Sequence, residues 1–287
     1  MLHSTSDQSK FNVFKIHLLG LCTSLMFVNT IGNSGNAIAS PDLDGSNIPI
    51  ENSTSLELPK VLSKPVANKL IRQVSRDTGA FSNKLKIIEI KSKNFDGCLG
   101  IYRPNQLCTK QLIRGWQAII TSPNRSYVYH LTQSGDRIIQ NDTASGATSR
   151  VRVSFELFGG NNTPPAESNL VFRSSSAGDL LGRMSSIVLT NDGKIIRYQS
   201  SPTARFAPLL IKTLSRTQTN EFKQQLNDRH SPNLNGLSYL TSAALADYPT
   251  TTYQSQETVL QFIDLEKKNF PRSLQRLIVN WETLIQP

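Results

Sequence analysis

A chain of 287 residues is long enough to bury two modest apolar cores. Its formal charge of +10 favours anionic partners, yet no nucleic-acid motif and no glycine-rich phosphate loop is present, which argues against nucleic acid and nucleotides. Three cysteines and four histidines in the whole chain speak against a multi-histidine metal centre, and no cofactor is implied.

Residues 1–39 read as a signal peptide. Lys10 and Lys15 precede an apolar run over 16–28, and Ala37-Ile38-Ala39 offers a small-residue cleavage site before Ser40. An uncleaved anchor is the alternative, but the run is short for a bilayer. The expected compartment is therefore secreted, periplasmic or cell-envelope, with no stable transmembrane segment after processing. Cys22 lies in the removed run, so the mature protein keeps Cys98 and Cys108, which have a single intramolecular pairing. Residues 40–58 carry Asp42, Asp44, Glu51 and Glu57 and no base, a net −4. With Pro41, Gly45 and Pro49 they read as a disordered acidic linker, either solvated or docked on the basic domain behind it.

That basic domain covers residues 59–141, with 14 Lys/Arg against 4 Asp/Glu, a net +10. A helix is expected over 64–77. Ser63 is expected to cap it, Pro65 suits its first turn, Gly79 stops it, and Val66, Leu70 and Val74 form its apolar stripe. Lys64, Lys69, Arg72 and Arg76 form a basic face opposite the stripe. Such a face is either a plain solvated surface or a candidate anion-binding site.

Strands follow over 84–92, 112–121, 125–131 and 137–140, a meander with one helix on it. Trp116, Ala118 and Ile120 fall on one side of the second strand, and Tyr127, Tyr129 and Leu131 on one side of the third. Aromatics at that period are expected as the buried face rather than a ligand platform. Between the first two strands, nine residues separate Cys98 from Cys108, broken by Gly100, Pro104 and Asn105. A disulfide closing so short a loop contributes about 2.5–3 kcal/mol through the unfolded state. A metal site at this spacing lacks two further ligands.

Residues 142–169 form a turn-rich linker with one strand over 151–158, whose owner the sequence leaves open. The second domain, 170–287, carries a net +3 over 142–287. Strands are expected over 170–174, 183–190 and 194–200, the last two joined by the hairpin turn Asn191-Asp192-Gly193. Ser215 and Gln218 make a capping box for a helix with Phe222 and Leu226 inside. After irregular chain come strands over 248–254 and 258–264. Pro271 then starts a terminal helix whose Leu274, Leu277, Ile278, Trp281 and Ile285 share one face. The fold class is α+β: two small domains, each an antiparallel sheet packed with one or two helices.

Catalytic chemistry finds little support. His130 sits in an aromatic strand, His230 in a loop beside Pro232, and neither G-x-S-x-G nor H-E-x-x-H occurs. Asp247 and Asp264 at strand ends are expected as solvated. An enzyme is not expected.

Two stretches carry resemblances. The run DGCLG…C…GWQ…YVYH in the first domain resembles a conserved domain of exported cyanobacterial proteins of unassigned function, which adds the thylakoid lumen to the compartments. The second domain is similar to the emfourin family, small inhibitors of thermolysin-like metalloproteases. That similarity rests on a strand ending in the glycine turn SAGDLLGR, a capped helix, a late pair of strands and the helix FPRSLQRLIVNW. It implies that Gly178, Asp179, Gly182 and Arg183 contact a partner. The chain departs from the family where Ala177-Gly178 is followed by Asp179, Leu180 and Leu181 before Gly182. Two partner classes follow: an exported protease met by the second domain, or an anionic lipid or polysaccharide of the envelope held by the first.

Overall fold

The computed structural model describes residues 62–158, 165–177, 181–228, 231–241 and 248–286. Helix α1 (Lys64–Thr78) buries Val66, Leu70 and Val74, one residue per turn, as the apolar period requires. Ser63 precedes it without a side-chain cap bond. Gly79 ends it in the left-handed region (φ 71°), its N–H donating to the Ser75 carbonyl at 2.9 Å.

Four strands follow as an antiparallel meander in sequence order: β1 (Lys86–Phe95), β2 (Ile113–Thr121), β3 (Ser126–Thr132) and β4 (Ile138–Gln140). The register sets Trp116 beside Leu131, Ala118 beside Tyr129 and Ile120 beside Tyr127. Those six share the face that α1 covers, and they pack with Leu70 and Val74 in one apolar cluster. Ile119 and Val128 point the other way and enter the larger core of the molecule. The two central strands, β2 and β3, are therefore buried on both faces, which is why β2 is buried without a break from Gly115 to Ile120 and encloses even Gln117.

After β4 the chain stays against β3. Asn141 N–H donates to the Val128 carbonyl at 2.8 Å, and Ser126 N–H to the Ala147 carbonyl at 2.8 Å. Then comes β5 (Val151–Ser154), which pairs with β11 (Leu237–Thr241) and so belongs to the second sheet.

That sheet continues with β6 (Leu170–Ala177), β7 (Met184–Thr190), β8 (Lys194–Ser201), β9 (Ala204–Arg205) and β10 (Leu209–Thr213). It is completed by β12 (Thr250–Gln254) and β13 (Val259–Phe262) in the order β10-β8-β7-β6-β12-β13-β11-β5, with β9 on β8. Its pairs are antiparallel except β11 with β13, which run parallel. Helices α2 (Arg216–Asp228) and α3 (Arg272–Ile285) cover one face. There Phe172 stands 4.8 Å from Trp281, 5.0 Å from Tyr253 and 5.5 Å from Phe222, ring centre to ring centre.

Each half thus has its own sheet, and both lie in one compact unit, Glu57–Pro287. Polar bonds cross between them. The Asn141 amide donates to the Asn233 carbonyl at 2.7 Å, the Tyr239 hydroxyl to the Ala144 carbonyl at 3.0 Å, and Phe155 N–H to Glu89 at 2.9 Å. β10 and β11 occupy stretches that local pattern leaves irregular. Both are five residues long, and their strand character comes from distant partners.

Candidate functional site

On α1, positions 69, 72, 73 and 76 recur at helical spacing and face the turn and strand 135–139. Between them lies a groove of about 500 Å³. Lys69, Arg72 and Arg76 of the expected basic face line it, while Lys64 does not. The structure adds Arg137, Gln73 and Asp136, so four cations meet one carboxylate. Gly135 makes the close approach possible. It sits at φ 70°, and a Cβ there would come within 2.9 Å of the Val66 side chain.

Within the groove Lys69 Nζ donates to Asp136 at 3.2 Å and to the Ser134 carbonyl at 3.3 Å. Both partners of this ion pair are well exposed, so it contributes little stability. The Ser134 hydroxyl, then Lys69, hold the Asp136 carboxyl below the ordinary carboxylate range. Arg76 donates to Gln73 at 2.6 Å, and Arg137 to the Gly97 carbonyl at 2.9 Å, which ties the rim to the cysteine loop. Arg72 makes no side-chain hydrogen bond or ion pair among the described residues. A groove of net +3 with an uncommitted guanidinium can take an anionic group by bidentate contact.

Cys98 and Cys108 form the expected disulfide. Asp96 organises the loop as its side chain accepts N–H bonds from Cys98 at 3.0 Å and Gly100 at 2.9 Å. Asp96 and the two sulfurs lie close enough to suggest a metal site, but both sulfurs are consumed in the S–S bond. Buried His130 holds the loop from below. Its Nδ1–H donates to the Leu99 carbonyl at 2.6 Å, and its Nε2 accepts from the Gln117 amide at 3.0 Å. Burial first, and then the charge of Lys93, push its pKa down to about 4 against the lift from the Leu99 bond. A ring so enclosed is neutral and structural. His230 and Asp247, like Gly178 and Asp179 of the glycine turn, lie outside the described residues.

The remaining part of the glycine turn can be placed. Gly182 adopts φ 62° against Pro202, and Arg183 is exposed beside Leu181 and Met184. Strand register sets Met184, Tyr198 and Leu210 on the sheet face away from α2 and α3, and all three are exposed. The glycine turn and the basic groove thus belong to different sheets. Sequence reading passes over Arg137 and Asp136 because they fill a Gly-Asp-Arg turn, and only the approach of α1 makes that turn a wall.

No described helix is long and apolar enough to cross a membrane. A family model described as a domain of unknown function, DUF8738, matches residues 67–139, from within α1 to within β4. That match takes in the α1 groove and the disulfide loop and covers roughly a quarter of the chain. No curated protein and no solved structure matches the chain.

Proposed function

We propose that this protein is an exported, non-catalytic binding protein that holds an acidic polysaccharide of the cell envelope in the groove between α1 and β4. The observation that carries the reading is the convergence of Lys69, Arg72, Arg76 and Arg137 on one concavity with Asp136 as its one acid. A concave, polar groove suits a linear polyanion. A lipid surface would call for apolar side chains at the rim, and none of the large exposed ones among the described residues lies there. The disulfide and the signal-like N-terminus support export. The engagement of both His130 nitrogens supports a structural rather than catalytic histidine.

The test is retention of the mature protein on an immobilised polyuronate. Retention at low salt, steep loss as salt rises, and weaker retention of an Arg72→Gln, Arg76→Gln variant are expected. Elution of the wild type at low salt sinks the reading. Capture by anionic vesicles but not by polyuronate replaces the polysaccharide with lipid.

A second reading is protease binding through the glycine turn, favoured by the exposed Leu181, Arg183 and Met184 beside it. Excess mature protein should then slow peptide hydrolysis by a thermolysin-type enzyme. Unchanged hydrolysis removes it.

A further inference from the structure

We propose a second anion site, selective for a phosphate monoester, in the cleft where the two sheets meet. It is separate from the α1 groove and does not depend on that groove's ligand. The cleft, about 680 Å³, is walled by Arg125 and the segment that follows β4 on one side. Lys268, Arg272 and Arg276 at the start of α3 form the other wall.

The backbone fixes where these exposed side chains begin. Arg125 sits on the β2–β3 turn, its carbonyl accepting from Ser122 N–H at 2.8 Å, and its backbone pairs with that of Thr148 in an isolated antiparallel bridge. On the far wall the Gln275 amide donates to the carbonyls of Lys268 at 3.1 Å and Phe270 at 2.7 Å, which sets the approach into α3.

Two features point to a ligand. Arg125, Lys268 and Arg272 make no side-chain hydrogen bond or ion pair among the described residues, whereas Lys69 and Arg76 in the α1 groove are partly committed. Four cations face two carboxylates, Asp142 and Asp228, leaving a net +2. A dianion neutralises that charge where a carboxylate monoanion would leave it half-balanced. Two guanidinium forks from opposite walls match the oxygens of a phosphate ester. Because one wall comes from the small sheet's turn and the other from α3, an occupied cleft also cross-links the two halves.

The experiment is calorimetric titration of the mature protein with glycerol phosphate, at ionic strength matched with chloride, and binding to phosphatidic acid vesicles beside it. A Kd below about 1 mM for the soluble ester is expected. An Arg125→Gln, Arg272→Gln variant should lose about tenfold or more. An Asp142→Asn variant should bind about threefold tighter because a repelling charge is gone, a gain that misfolding cannot produce. Arg72→Gln in the α1 groove should bind as wild type. Binding to vesicles alone, lost in the Arg125/Arg272 variant, upholds the cleft and makes a lipid headgroup its ligand. Absence of binding in both arms overturns the proposal, as does binding unchanged by the Arg125/Arg272 pair.

Discussion

His130 is the residue whose surroundings say most about acid stability. In the unfolded chain it titrates near its ordinary value, and in the fold burial holds it near pH 4. Between those values the unfolded state takes a proton that the native state refuses. Its contribution is thus complete above about pH 6.5 and drains away as pH falls towards 4, by about 3 kcal/mol in all. Urea midpoints across that window should drop for the wild type, and a His130→Gln variant should show a flatter profile. An identical slope in both would locate the acid sensitivity elsewhere. Gly115, the first half of the Gly-Trp pair, tells a steric story. A Cβ there would sit 2.1 Å from the Leu131 carbonyl oxygen and 3.0 Å from the Phe95 ring. Gly115→Ala should therefore cost about 3 kcal/mol by forcing β2 from β3, seen as a lower melting temperature. A wild-type melting temperature would contradict the packing of that pair.

Elements were legible from sequence in proportion to how local their cause is. The α1 stripe, the Asn191-Asp192-Gly193 hairpin and the α3 face are written in spacing of three and four, or in a turn tripeptide, and each forms as expected. The capping box is realised in both directions: Gln218 N–H donates to the Ser215 hydroxyl at 3.2 Å, and Ser215 N–H to the Gln218 side chain at 2.9 Å. Ser215→Ala should cost about 1 kcal/mol, measurable by denaturant titration, and a variant as stable as wild type would mean that packing of Phe222 and Leu226 alone holds α2. β10 and β11 were not legible. Leu237 to Thr241 is too short to declare itself, and only pairing with β5 and β13 makes it a strand. The same limit applied to the groove, because Arg137 and Lys69 are 68 positions apart and meet only through the packing of α1 on the meander.

At the scale of the whole molecule, the disulfide loop ties the two halves together. Asn233, on the short 3-10 turn Ser231–Leu234 before β11, acts towards Tyr102 as a strand neighbour would. Its amide oxygen accepts from Tyr102 N–H at 2.8 Å and its amide nitrogen donates to the Tyr102 carbonyl at 2.9 Å. Tyr102 lies between Cys98 and Cys108, and the same loop is held on the small-sheet side through Leu99 and His130. The loop can meet Asn233 at a fixed distance only while the S–S bond restricts it, so the two contributions should be coupled. Asn233→Ala in the oxidised protein should lose about 2–3 kcal/mol, the worth of its two bonds to Tyr102 and a longer one to the Thr143 hydroxyl at 3.3 Å. After reduction, the same substitution should cost less than half as much, since the freed loop no longer presents Tyr102 in register. Denaturant curves of wild type and variant, oxidised and reduced, close that cycle. Equal costs in the two redox states would show that the halves are joined by their apolar core alone and that the loop only rides on the seam.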